Sequence, residues 1–434
     1  MIAKMILPWF GGSAAVWITC MLFFQAGLLG GYLYAHILIK RLRPRLQWLI
    51  HFSLLGLSLA LLPVSPAQSW KPSGGEEPMM RILGLLTLSV GLPYFLLSAT
   101  SPLLQAWYSR RYSLSMPYRL FALSNLASLI GLLAYPFLIE PAFTTRQQSI
   151  GWSSFYAIFA LLCAMVSFLS RNTVEAPCMI KEPVADGESN SCSPGIRDKA
   201  LWLILAACAS VLLLAVTNHL TQNIASIPFL WVLPLSIYLS TFILCFDFER
   251  LYNRRIFSWL VFFALCVMVY GLIEWTPHTN LKLVISAYCA GLFICCMFCH
   301  GELVRRKPAV NHLTSFYLML SAGGILGGIF VGIIAPNLFK GYFELPIGIA
   351  LLSVLQTALL FSSRKRIVLI AGSFVTVGVL LTSGNHILSY SEYSLTAVRS
   401  FYGTLKINEH NKGEKNEFRV LVHGAINHGE QFVL

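Results

Sequence analysis

Cys296-Met297-Phe298-Cys299-His300 has the CxxCH spacing of c-type haem attachment, in which two thiols and a histidine serve one haem. The motif closes an apolar run. The distribution of basic residues puts that end in the cytoplasm, whereas such haem is attached outside it. We therefore read packing cysteines with an interfacial histidine. His300-Gly301-Glu302 then leads into Arg305-Arg306-Lys307, which suits an interfacial salt-bridge group or, alternatively, a proton or cation site. Residues 217–223, TNHLTQN, include His219 and Gln222. They read as a solvated turn between two apolar runs, with a small-molecule or ion site as the alternative.

More polar groups lie within apolar runs, where they are costly and face a bundle interior. Gln25, Tyr32 and His36 are spaced seven and four and share one helix face. Gln105 ends one run. Arg119 and Asn125 open the next, and Glu140 closes it. Arg119 and Glu140 lie about 31 Å apart along a helix, too far to pair. Such a set forms either a polar pathway or ligand pocket, or interhelical hydrogen bonds that fix packing. The sequence has no P-loop, dinucleotide fingerprint, HExxH, paired metal spacing or nucleophile elbow, so no catalytic residue, metal or cofactor is assigned.

These residues are held by a strongly apolar chain. Of 434 residues, 56% are hydrophobic and 11% charged, under half the charge of an average soluble protein. The mean hydropathy is +0.69. The expected fold is an all-α polytopic membrane bundle with a short, hairpin-like β tail. About twelve runs are long enough to span a bilayer: 13–38, 47–64, 82–107, 118–139, 152–170, 200–217, 227–246, 256–273, 283–299, 313–334, 346–361 and 367–382. The net charge of +13 is no nucleic-acid signal, because the basic residues cluster between apolar runs. Twenty Lys and Arg lie in one alternate set of loops and six in the other, which places both chain ends outside the cytoplasm. Cysteines inside apolar runs are packing residues rather than a disulfide framework.

The expected organisation is a first membrane bundle (1–170), a flexible cytoplasmic linker (171–199), a second bundle (200–382) and a soluble tail (383–434). Gly323/Gly327 and Gly324/Gly328 form two small-xxx-small pairs that permit close helix approach. In the tail, 401–407 and 418–422 alternate as strands around a polar turn. Two strands cannot be stable alone, so they lean on the membrane part or open a larger domain.

Several phrases together resemble bacterial membrane proteins in which a polytopic region is fused to a spermidine synthase-like (aminopropyltransferase-like) domain. They are Leu7-Pro8-Trp9-Phe10-Gly11-Gly12-Ser13 with Val16-Trp17 and Phe23-Phe24-Gln25; Leu97-Ser98-Ala99-Thr100-Ser101-Pro102-Leu103-Leu104-Gln105-Ala106-Trp107; Tyr118-Arg119-Leu120, Ser124-Asn125, Tyr135-Pro136 and Glu140-Pro141; Pro228-Phe229-Leu230-Trp231-Val232-Leu233-Pro234-Leu235; Cys299-His300-Gly301-Glu302-Leu303; and Arg399-Ser400-Phe401-Tyr402-Gly403 with His423-Gly424 and His428-Gly429-Glu430-Gln431. The resemblance implies that the tail is the small β region entering the aminopropyltransferase fold. Its nucleotide loop and acidic residues would follow later, which leaves Gln431 as the nearest pocket candidate. It also implies a chain shortened at both ends, in the bacterial inner membrane, without catalytic activity of its own. The expected partners are the lipid bilayer and either a second copy or a separate catalytic domain, and no nucleic acid. A small-solute carrier, for a polyamine or an amino acid, is the alternative.

Overall fold

The computed structural model describes residues 1–111, 117–169, 194–223, 229–274, 279–309, 312–361, 366–392, 394–414, 416–424 and 426–433. Among them, eleven helices of 18 to 31 residues are apolar enough to cross a bilayer. The protein is an integral, multi-pass membrane protein. The span expected at 47–64 is a shorter helix, Pro44–Leu59, of 16 residues, about 24 Å at 1.5 Å per residue. Most of the expected linker, 171–193, lies outside the described residues, and a helix already runs over Ile196–Asn223.

The chain forms two compact units. One comprises Met1–Phe10, Phe23–Ala206 and Leu303–Ile325; the other comprises Gly11–Leu22, Ala207–Glu302 and Leu326–Leu434. In the first unit, two helices are inside out by the standards of a soluble protein. Pro44–Leu59 buries Gln47, His51, Leu55 and Ser58 and exposes Leu46, Leu49, Phe52 and Leu57. Thr145–Leu169 buries Ser149, Ser153, Tyr156, Ala160, Cys163 and Ser167 and exposes Phe155, Leu161, Leu162 and Met165. Lipid is as apolar as leucine, so nothing drives leucine inward. Polar groups instead seek one another.

Small residues set the closest approaches. A methyl group at Gly31 would lie 2.9 Å from the backbone N of Ala99 and the carbonyl of Phe95. The helices Ala14–Arg41 and Leu92–Arg111 thus meet backbone to backbone. In the second unit, a methyl at Gly327 would lie 2.7 Å from Ser210 Cβ and 2.9 Å from the Ala207 carbonyl. Gly324 meets nothing within 4 Å of that position, while Gly323 and Gly328 are buried in the same helix, Leu313–Ile329. Wider π turns interrupt the helices at Tyr135–Ile139, which contains Pro136, and at Phe330–Ile334, just before Pro336. They accommodate prolines that cannot donate a backbone hydrogen bond.

The last long helix runs over Arg366–Glu392, and a sheet begins at Ser394. Its strands are β1 (Ser394–Ser400), β2 (Gly403–His410), β3 (Phe418–His423) and β4 (Ile426–Phe432). They form an antiparallel meander in the order β1-β2-β3-β4. The tail is therefore twice the hairpin expected from alternation. β1 and β4 carry little alternation of their own and exist because β2 and β3 supply edges to pair with.

Candidate functional site

The sheet is seated on helices of its own unit, and its seat holds a buried ion pair. The register pairs Arg399 with Thr404 and Lys406 with Val422, so these residues share the inner face. The Arg399 and Glu344 side chains form an ion pair at 5% and 1% exposure. Arg399 Nη1 also donates to the Gly341 carbonyl at 2.7 Å, and its guanidinium lies 4.5 Å from the Tyr342 ring centre. Burial pushes the Tyr342 phenol up to about 12, against the opposing pull of Arg399. The Lys406 ammonium sits 4.4 Å from the centre of the Tyr390 ring, and burial lowers its pKa. At the β3–β4 turn, Gly424 adopts φ +59°, and a methyl there would lie 2.9 Å from the Gln222 carbonyl. A side chain at this position is excluded twice, by backbone conformation and by contact.

The outer face carries an exposed apolar patch beside the Glu409–Arg419 ion pair. Val398 pairs with Leu405, Leu405 with His423, and Ile407 with Leu421. Val398, Leu405, Leu421 and Ile426 are 57%, 49%, 41% and 61% exposed. Alternation alone does not say which face is buried. Here the face with Arg399 and Lys406 is inward, because Glu344 and the aromatic rings receive its cations. His428 lies 5.7 Å from His423, centre to centre, and Gln431 pairs with Arg419 across β3–β4. Both His428 and Gln431 are exposed.

His300 and Glu302 are fully buried but serve different neighbours, as residues two apart on a helix must. The Thr241 hydroxyl donates to the Tyr238 carbonyl at 2.7 Å, so His300 Nδ1, 2.9 Å away, donates to Thr241 Oγ1. His300 Nε2 is then a buried acceptor without a hydrogen-bond partner among the described residues, with Phe242 stacked at 3.7 Å. Glu302 accepts from Tyr252 at 3.0 Å and pairs with Arg254 at 3.1 Å. The Arg254 Nε–H is not aligned for a hydrogen bond, so the second contact is charge pairing. Cys296 and Cys299 lie in the core as free thiols. Among the described residues, no three His, Cys, Asp or Glu side chains are arranged to hold a metal ion.

The stretch 217–223 is not a solvated turn. It continues the helix Ile196–Asn223, with Thr217, Asn218 and Thr221 buried. Thr217 and Thr221 bond to carbonyls four residues back, which satisfies their hydroxyls without water. His219 lies 4.6 Å from the Tyr288 ring, centre to centre.

The polar residues of the first unit do not converge on one pocket. Gln105 donates to Ser101 and accepts from the Tyr317 hydroxyl at 3.0 Å. Asn125 caps the Phe121 carbonyl of its own helix at 2.9 Å. Glu140 pairs with Lys4. Tyr32 and His36 both face Leu313–Ile329, His36 meeting Thr314 at 2.9 Å. Gln25 is half-buried on the same helix as these two. The Arg119 side chain lies outside the described residues. Tyr317→Phe removes the hydroxyl that donates to Gln105 Oε1. We expect a loss of about 1–3 kcal/mol, read as a lower Tm of the detergent-solubilised protein, whereas an unchanged Tm would show the bond to be idle.

Sequence reasoning missed a polar seam in the first unit. His51 meets the Tyr34 hydroxyl at 3.2 Å through Nδ1 and Cys163 Sγ at 3.3 Å through Nε2. Ser58 meets the Tyr156 hydroxyl at 2.8 Å, and Trp107 donates to Gln47 at 3.1 Å. The signal was present as polar residues at helical spacing: 47, 51 and 58 on one helix, and 149, 153, 156 and 163 on the other. No protein-family model matches the chain, and no curated protein matches its sequence.

Proposed function

We propose that this protein is the membrane platform of a spermidine synthase-like protein. The helices are the support, the sheet is the docking surface for an aminopropyltransferase-like domain, and the chain itself transfers no aminopropyl group. The observation that carries this reading is the orientation of the sheet. One face is anchored on the bundle through Arg399, and the other turns Val398, Leu405, Leu421 and Ile426 outward, bordered by the Glu409–Arg419 ion pair. A contiguous exposed apolar face marks an interaction surface. The anchor also lies in the Arg399-Ser400-Phe401-Tyr402-Gly403 phrase on which the resemblance depends. The carrier reading gains no support from Gln105, Asn125 and Glu140, whose polar atoms serve internal bonds in separate places.

The test uses the full chain in nanodiscs with a soluble aminopropyltransferase-like domain supplied separately. The domain is expected to bind, and Leu405→Lys to weaken binding at least tenfold, roughly the effect of placing a charge in an apolar contact. The chain alone is expected to release no methylthioadenosine from decarboxylated S-adenosylmethionine and putrescine. Such release, or binding indifferent to Leu405→Lys, would overturn the proposal. Polyamine flux through proteoliposomes containing the chain alone would favour the carrier.

A further inference from the structure

At one end of the first unit's spans lies a cavity of about 700 Å³. Its walls come from the helix Ile2–Phe10, from residues 63–68, from the end of the span Leu120–Ala142 and from the first turns of Thr145–Leu169. One span ends at this cavity and another begins there, so it lies at the level of the membrane interface.

Two basic side chains, Lys4 and Arg146, line the cavity. Lys4 is neutralised by Glu140. Arg146 has no ion-pair or hydrogen-bond partner among the described residues, and neither do the Trp9 indole and the Thr145 hydroxyl, which line the same space. The site is thus rich in unused donors and carries a net positive charge, the complement of an anion. A free cation such as a polyamine meets the wrong sign. Met5, Pro8 and Ile150 make the rest of the wall apolar. The adjoining span Leu120–Ala142 has only 6% of its apolar window buried, so a long apolar surface runs away from the cavity.

We propose that this cavity binds the phosphate of an amphiphile: Arg146 grips the phosphodiester of a glycerophospholipid, Trp9 and Thr145 add hydrogen bonds, and the acyl chains lie along Leu120–Ala142. Guanidinium and phosphate match in geometry as well as charge, and such bonds are about twice as strong as neutral ones. A tryptophan at a span end is an element that membrane proteins use at the level of the headgroups.

The experiment is native mass spectrometry of the full chain in a neutral detergent, titrated with phosphatidylglycerol and, separately, with diacylglycerol. Phosphatidylglycerol is expected to bind and diacylglycerol to be lost on activation. Arg146→Gln is expected to weaken phosphatidylglycerol binding about tenfold, Arg146→Lys to restore part of it, and Lys282→Gln, a basic residue at another span end, to change nothing. Inorganic phosphate that displaces the lipid supports the same headgroup chemistry. Inorganic phosphate that binds through Arg146 when the lipid does not would assign the site to a free anion and overturn the lipid. Equal binding by wild type and Arg146→Gln, equal retention of diacylglycerol, or an equal loss in Lys282→Gln would overturn the site. Because Arg146 is exposed, its replacement leaves the fold intact, and an unchanged Tm checks this.

Discussion

Glu344→Ala is expected to detach the C-terminal sheet from the bundle while the bundle stays folded. The substitution leaves the Arg399 guanidinium at 5% exposure with no counter-charge. Removing one partner of a buried pair costs about 3–5 kcal/mol, because the other charge is left desolvated. The carbonyl of Gly341 and the ring of Tyr342 remain as partners, but neither carries a full charge. The protein escapes the penalty by letting β1 leave its seat. The readout is limited proteolysis in nanodiscs, where cleavage within 394–432 should rise by two to three orders of magnitude, roughly the factor that 3–5 kcal/mol of opening energy allows. Protease sites in the loops between spans should be cut as before. Two further variants separate charge from shape. Glu344→Gln keeps the volume and a hydrogen-bond acceptor and should release the sheet less. Glu344→Leu with Arg399→Met removes both charges and should restore most of the protection, since an apolar pair of similar volume can match a buried ion pair. Cleavage in Glu344→Ala at the wild-type rate would mean that the pair does not hold the sheet.

Gly31→Leu is expected to be the most damaging single change in the first unit. The nearest obstruction is Ser98 Oγ, and behind it stands main chain, the Ala99 N and Phe95 carbonyl at 2.9 Å, which cannot rotate aside as a side chain can. Ser98 also donates to the Gly27 carbonyl at 3.1 Å, a bond that requires the two helices to be this close. Overpacking commonly costs 1–3 kcal/mol. With the interhelical bond lost as well, we expect about 3 kcal/mol or more, seen as a large fall in Tm and aggregation on size exclusion. Gly31→Ala should show a smaller loss of the same kind. Gly131→Ala, on a helix position with nothing within 4 Å, should be neutral. If all three behave alike, close approach at Gly31 is not what holds the helices.

How much of this was legible beforehand depends on how local each property is. Hydropathy is local, so the membrane class, the positions of the long helices and the strands near 401–407 and 418–422 could be read directly from the residues. Close packing was partly legible too: the Gly323–Gly328 cluster announced itself, although the equivalent approach at Gly27 and Gly31 did not stand out among leucines. Pairing is not local. Glu344 and Arg399 are 55 residues apart, Gln105 and Tyr317 are 212 apart, and His51 and Cys163 are 112 apart. No spacing rule connects them. The stretch 217–223 reads as a turn because its side chains are polar, yet hydroxyls that bond back to the helix and buried neighbours that exclude water make it helical. Alternation in β2 and β3 likewise announced two strands but left three things open: which face turns inward, that β1 and β4 would join them, and what the sheet rests on. Those were decided by tertiary structure, because the free energy of a buried charge depends on where its counter-charge folds to. Residue type and order alone determined that this chain belongs in lipid; only the packing of distant segments decided which polar groups hold it together and which surface it offers outward.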